Sequence, residues 1–375
     1  MSVVRSQARR RWCLVAGAVA VICAVPAVVS ALPAAAPPLS AAQLRARVLA
    51  SAGRPFQGYA QSAGALGIPS LPGLRDLTAL LAGTTRMRIW QASASRWRVD
   101  VMSDAGERDT YQMPAGTFVW DSGAMLLTEV IGTAGFRLPR PADFTPPALA
   151  AWLLRYAGSN SRVSGIAAAR VAGIGAAGLR VVPADPATTI GRVDIWADPR
   201  TGLPLRVEIV GRRGGAPALV SQFLQVSDDP PGRRVLTPAR GPGTGLSVSD
   251  ATDIVGALRN LRPEPLPGRL AGRARIRLPF GFQGIGVYGK GLSTFAVLPL
   301  PRLAGPRALE KVRKAGGVSV TFPAGFGEQI STPLLTVTAA RSFVSDDTFL
   351  LAGLVDATLL RAAAVELTSR PDAGQ

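Results

Sequence analysis

The sequence predicts an α+β protein: an antiparallel meander with one apolar and one wet face, short helices before and within it, and a smaller α+β domain after it. Three observations predict this. Leucines recur at helical spacing ahead of residue 84. From residue 84 onward apolar and polar residues alternate with period two, in short runs separated by turn residues. A stretch rich in Gly, Pro, Asp and Arg breaks this pattern after residue 227, and new strand and helix patterns begin near 268. The expected organisation is a targeting or anchoring segment over 1–36, a first domain over 40–227, a linker over 228–267 and a smaller α+β domain over 268–375.

Residues 12–32 form an uncharged run of 21 residues behind Arg5, Arg9, Arg10 and Arg11. Small residues at Val29-Ser30-Ala31 and Ala34-Ala35-Ala36 offer cleavage sites, so the run reads as a signal peptide. It is also long enough to span a bilayer as a retained anchor. Either way, basic residues before the run and none inside it place the body outside the cytoplasm. Cys23 follows Val21-Ile22, not the small residue that a lipoprotein site requires.

Ser40 is the expected N-cap of a helix that carries Leu44, Val48 and Leu49. A strand and a loop are expected over 58–72, then a short helix with Leu74, Leu77, Leu80 and Leu81 that ends at Gly83. Runs 84–91 and 95–102 read as a hairpin. Pairing Trp90 with Arg96 sets Arg88 against Arg98 and Met87 against Val99. That sorts Met87, Ile89, Trp97, Val99 and Val101 onto one face and Arg86, Arg88, Trp90, Arg96 and Arg98 onto the other. The turn at 103–106 leads into 107–113, which adds Tyr111 and Met113 to the apolar face. Runs 118–121 and 124–130 form the next hairpin. A helix is expected over 146–156, with Leu149, Trp152 and Leu153 on one side. Strands follow at 162–171, 177–183, 192–196, 203–210 and 218–226. Asp198-Pro199-Arg200-Thr201-Gly202 makes a tight turn between two of them, with Gly in the left-handed region. In the smaller domain strands are expected at 275–278, 294–299, 317–322, 334–338 and 348–355. Helices are expected at 303–314 and 356–367, the latter capped by Asp356.

Composition excludes much chemistry. The chain of 375 residues contains no His, so a Ser-His-Asp triad, a Cys-His dyad and an imidazole metal site are all ruled out. Both cysteines, Cys13 and Cys23, lie in the N-terminal run, which leaves no disulfide, thiolate zinc site or cysteine nucleophile beyond it. Two segments match G-x-G-x-x-G. Gly173 to Gly178 leads into a strand rather than a helix. Gly284 to Gly289 is followed by Lys290 and then Gly291, which lacks the hydroxyl of a phosphate-binding loop. No G-x-S-x-G and no S-x-x-K occurs. The reading is a protein that is not an enzyme and has no cofactor and no metal site. Its net charge of +18 rests on Arg, with lysine only at 290, 311 and 314. On an exported body that charge suits an anionic membrane surface rather than nucleic acid. Arg86, Arg88, Arg96 and Arg98, and the alternating Arg273, Arg275 and Arg277, are the anionic-surface candidates. Such stripes also occur simply as solvated strand faces.

The order of elements resembles a known family. A leucine helix is followed by a meander with Trp97-Arg-Val-Asp100, and then by Trp196-Ala-Asp-Pro-Arg-Thr-Gly-Leu-Pro-Leu-Arg-Val-Glu208. This is similar to the N-terminal LolA-like domain of the RseB/MucB sigma-E regulatory proteins. Val287-Tyr-Gly-Lys-Gly-Leu-Ser-Thr-Phe-Ala-Val297 and 349–364 resemble their second domain. The resemblance covers most of 40–375 and rests on turns and core positions. It implies a half-open antiparallel β-barrel wrapped over short helices, with a smaller α+β domain beside it. It also implies an apolar cavity for lipid or an acylated protein, and a membrane anti-sigma factor as partner. A lipid or lipoprotein carrier using the same cavity is the alternative function. The apolar face of Met87, Ile89, Trp97, Val99, Val101, Tyr111 and Met113 would line the cavity, with Phe118, Trp120 and Trp152 as further candidates. That face reads equally well as a filled core.

Overall fold

The computed structural model describes residues 37, 39–66, 75–103, 106–132, 139–238, 241–250, 266–277 and 284–371. The proposed targeting segment, its two cysteines and the helical turn expected near 253–258 lie outside them.

The first helix, α1 (Ala41–Ala50), begins where the sequence indicates. The Ser40 hydroxyl accepts from the Gln43 amide, and the Gln43 side chain accepts from the Ser40 amide. This reciprocal cap satisfies two amides that would otherwise have no partner. Leu44 and Val48, one turn apart, are its buried residues. Strand β1 (Phe56–Gly64), helix α2 (Arg75–Ala82) and the meander β2 (Thr84–Ser93), β3 (Arg96–Ser103), β4 (Gly106–Met113), β5 (Gly116–Asp121) and β6 (Leu126–Ile131) follow. Helix α3 (Pro146–Tyr156) matches the expected bounds, with two prolines in its first turn where no amide partner is needed. Then come β7 (Arg162–Val171), β8 (Ile174–Val182), β9 (Ile190–Ala197), β10 (Pro204–Gly211) and β11 (Leu219–Ser227).

These strands form one open sheet of twelve, in the order β12-β6-β5-β4-β3-β2-β1-β11-β10-β9-β8-β7. The twelfth member, β12 (Gly245–Asp250), comes from the stretch expected to be linker and pairs parallel with β6. Short runs rich in Gly and Ser carry little strand signal, so neighbouring β6 rather than local propensity decides this strand. Bulges at Tyr59/Ala60, Gln91/Ser93, Ile166/Ala169, Pro204/Arg206 and Val210/Gly211 bend the strands. The result is a half-open barrel over short helices. α1 packs on β7, β8 and α3, while α3 packs on β10 and β11. Between them lies a core with Leu153, Leu179, Val181, Ile195, Val207 and Ile209. A second cluster, containing Phe56, Met87, Ile89, Val99, Leu205 and Phe223, fills the middle of the same face.

The Asp198–Gly202 turn docks beneath α1. Asp198 accepts from the Arg200 amide at 2.8 Å and from the Thr201 hydroxyl at 3.0 Å. Gly202 has φ +77°, and a Cβ there would stand 2.4 Å from the Arg47 carbonyl. Only glycine meets both conditions. The Arg47 guanidinium closes the contact by donating to the Pro199 carbonyl.

The C-terminal part contains a six-stranded antiparallel sheet. Two short pieces precede it, β13 (Arg269–Leu270) and β14 (Arg273–Ala274). The sheet comprises β15 (Gly286–Tyr288), β16 (Phe295–Leu300), β17 (Val318–Phe322), β18 (Gly325–Ser331), β19 (Thr336–Ser342) and β20 (Thr348–Gly353). Helix α4 (Gly305–Lys314) covers one face with Leu309 and Val312. Helix α5 (Ala357–Thr368), capped by Asp356, covers the other with Leu360, Ala363, Ala364 and Leu367. Strands β15 and β18 carry no clear alternating pattern in the sequence. The strand expected at 275–278 is instead the β13–β14 pair plus a single bridge from Arg275 to Tyr288.

The two sheets meet through the β8–β9 connection. The buried Thr188 hydroxyl lies 3.0 Å from the Leu292 carbonyl and 2.9 Å from that of Leu354. Thr189 donates to Leu334, and the Asp356 amide donates to Ala187. Arg273 grips Asp185 through two hydrogen bonds, 2.6 and 3.1 Å long.

Candidate functional site

Strand register decides which side chains face the concave side. In β2–β3 the pairs are Met87–Val101, Ile89–Val99, Arg88–Asp100 and Trp90–Arg98. This is a two-residue slip from the expected register, because the turn closes between Ser93 and Arg96 and the bulge at Gln91/Ser93 offsets the strand by one. A slip of two keeps every side chain on its face. It sets Arg88 opposite Asp100 instead of Arg98, and Trp90 opposite Arg98 instead of Arg96.

The β3–β4 hairpin differs more. Val99 pairs with Thr110, Trp97 with Gln112, Arg98 with Tyr111 and Asp100 with Asp109. Tyr111 and Met113 therefore belong to the outer face, not to the apolar face of Val99 and Trp97. The hairpin pairs odd with even positions, because Ser103 stands opposite Gly106. Phe118 pairs with Tyr111 and Trp120 with Asp109, so both follow onto the outer face. Trp152 also lies away from the core. It is exposed on α3, with its ring 5.4 Å from Tyr156.

Met87, Ile89 and Val99 are buried in the filled cluster with Phe56 and Phe223, while Trp97 and Val101 sit at its margin. Beyond Trp97 the concave face opens into a cleft of about 510 Å³. Trp97, Gln112, Met113, Thr117, Val130, Ile131, Ala142 and the pair Arg140 and Asp143 line it. Of the expected lining residues only Trp97 reaches it from the concave face, while Met113, at the β4–β5 turn, borders its edge. Gln112, Thr117 and Val130 share the strand face of Trp97, a consequence of the β3–β4 register that alternation alone does not reveal. The lining mixes apolar and polar side chains, which suits an amphiphile better than a purely aliphatic ligand.

The outer face holds a second constellation. The Arg98 guanidinium lies between the Trp90 and Tyr111 rings, 5.1 and 4.8 Å from their centroids. Its Nε donates to Asp100 Oδ1 at 2.5 Å and its Nη2 to Asp109 Oδ2 at 2.8 Å. Its Nη1 donates to the Val235 carbonyl at 3.3 Å, tying the chain beyond β11 to the sheet. Asp100 and Asp109 are nearly fully buried. Burial pushes the Asp100 carboxyl up to about 7, against the opposing hydrogen bond from Arg98. Burial likewise raises Asp109 and Tyr111. For Arg98 itself burial works against the cation, but the hydrogen bond and charge of Asp100 outweigh it and hold the guanidinium raised. One oxygen each of Asp100, Glu107 and Asp109 lies within 4.8 Å of the others. The cation already held by the buried pair is Arg98.

Arg86 and Arg88 are exposed on this face and form no ion pair among the described residues. Arg96 is partly buried, with its Nε unpartnered. Further along the same face Arg180 holds the buried Asp194 through two hydrogen bonds, and Arg206 pairs with Glu208 beneath Trp196. The other three candidates do not form one stripe. Arg273 is committed to Asp185, Arg275 to the carbonyls of Leu266 and Ile285, and Arg277 is exposed.

No protein-family model matches the chain, and neither does any curated protein. Solved structures do. The MucA/MucB complex of Pseudomonas aeruginosa matches with TM-score 0.50 and 20% identity, over 89% of this chain and 99% of that one. MucB in complex with MucA(peri) matches with TM-score 0.49 and 18% identity, over 89% and 100%. A LolA superfamily protein from Nitrosomonas europaea matches with TM-score 0.23 and 11% identity, over 54% and 99%. The half-open sheet over short helices, followed by the six-stranded unit, thus shares its fold with the MucA/MucB structure.

Proposed function

We propose that this chain is an extracytoplasmic regulatory binding protein, without catalytic activity, that engages the extracytoplasmic part of a membrane anti-sigma factor. The observation that carries this reading is the match of both units, in order and over nearly the whole length, to the protein found in complex with MucA. The basic, Arg-rich body and the uncharged N-terminal run support work at a membrane surface. A pull-down from membranes, with the exported body as bait, tests it. Recovery of a single-pass anti-sigma protein is expected. A capture without one, repeated with cross-linking, sinks the regulatory reading.

The cleft beside Trp97 supports a finer reading, in which the protein senses a lipid or acylated protein there. The same cleft would serve a lipid or lipoprotein carrier. Native mass spectrometry with added phospholipid should show a bound mass, and Trp97→Ala should lose it. Unchanged binding in that variant would place the lipid elsewhere.

A further inference from the structure

The composition of 228–238 reads as linker, yet Pro231 and Leu236 are buried and Arg98 holds its Val235 carbonyl. The anchor is a single cation serving two carboxylates that face each other across β3 and β4. Asp109 Oδ1 is buried and receives no hydrogen bond from any N–H or O–H of the described residues. The carboxyl that can fill that role is Asp100, when it is protonated. With one proton between them the pair carries one negative charge, which Arg98 balances. With none it carries two, and the surplus charge has no buried partner. Water then becomes the cheapest source of hydrogen bonds, and it enters only if the covering segment lifts.

We propose that Asp100 and Asp109 form a proton-sharing pair whose full ionisation loosens the 228–238 segment from the outer face of the sheet. The neighbours do not supply the missing charge. From β2, Arg88 stands opposite Asp100 but extends into solvent, as does Arg86. β3 contributes Arg96 and Arg98 itself. β4 adds Glu107, a further negative charge, and Tyr111, whose hydroxyl donates to Asp109 Oδ2 at 3.3 Å. β5 places the uncharged Trp120 opposite Asp109. The segment carries Asp228, Asp229, Arg233 and Arg234, all exposed.

The sign follows from the raised Asp100 carboxyl. The docked state holds the proton more tightly than the open state, where an aspartate titrates near ~3.9. Docking is therefore strongest below about pH 4. It weakens as pH rises, and the advantage is gone past about 7.

Hydrogen exchange of 228–238, corrected for intrinsic rates, tests this at about pH 5 and about pH 7.5. One linked proton allows up to about tenfold per pH unit. A loss of protection of about tenfold or more is expected in the wild type, and a change within about twofold in Asp100→Asn. Equal pH dependence in both proteins overturns the proposal. If Asp100→Asn fails to fold, carbonyl-detected NMR of the wild type decides instead. A proton leaving the pair near pH 7 supports the proposal, and two carboxyls that both ionise near pH 4 overturn it. None of these outcomes depends on the anti-sigma reading.

Discussion

Beneath β7–β11 the concave face of the large sheet is filled, because α1 and α3 lay Leu44, Val48, Leu149, Leu153 and Leu154 onto Leu179, Val181, Ile195 and Ile209. Beneath β3–β6 the same face has no helix of this kind over it among the described residues, and it opens into the cleft beside Trp97. The outer surface shows the reverse contrast. Over β8–β10 its ion pairs are partly exposed, whereas over β3–β4 Asp100 and Asp109 are buried and the Arg98 that holds them also donates to Val235 of the segment after β11. One sheet thus carries two kinds of surface, and the elements laid against each stretch set the difference, not the strands.

The sharpest way to break this comparison is to truncate one residue in each half. Leu179→Ala, fully buried under the helices, should cost about 3 kcal/mol in urea unfolding. Val130→Ala, in the cleft wall, should cost about 0.5 kcal/mol. Equal costs would mean that the cleft half is packed as tightly as the helical half.

The contact between the two sheets comes next in size. Thr188→Val keeps the shape but removes the hydroxyl proton shared between the Leu292 and Leu354 carbonyls, so a loss of about 1–3 kcal/mol is expected. Differential scanning calorimetry should show the two units separating into distinct transitions. A single unchanged transition would show that the remaining hydrogen bonds suffice.

The smallest effect concerns Asp185. The Arg273 hydrogen bonds hold its carboxyl down to about 2. A depressed carboxyl stabilises the fold above its unfolded value of ~3.9, and that contribution is lost as pH falls toward about 2. Because the pair keeps about a quarter of its side-chain surface in solvent (24% and 25%), screening discounts the shift and Asp185→Asn should cost about 1 kcal/mol at pH 7. Thermal melts of the two proteins should converge by about pH 2. A difference that persists there would assign the loss to packing rather than charge.

Much of the fold was legible in the sequence. The N-cap at Ser40, the glycine of the Asp198–Gly202 turn and the Asp356 cap are local signals, and the structure places each where the residues indicate. The site was less legible. Alternation told which residues of one strand share a face, but not how that strand's faces align with its neighbour's. Tyr111, Met113, Phe118 and Trp120 therefore moved together to the outer side when the hairpin at Ser103 and Gly106 set its register. Alternation puts Arg98 on the face opposite Val99, but its packing between Trp90 and Tyr111 and its bond to the Val235 carbonyl join residues that no local pattern connects.

By itself the sequence determined what depends on neighbours within a few residues: helix ends, turns, strand periodicity and the exclusion of His- or Cys-based chemistry. Only the tertiary structure decided which part of the apolar face is core and which is cleft. It also decided that β12 belongs to the large sheet, and that two buried carboxylates share one guanidinium, which in turn holds a carbonyl of the stretch the sequence reads as linker. Those outcomes rest on desolvation and register, which arise only when distant segments meet.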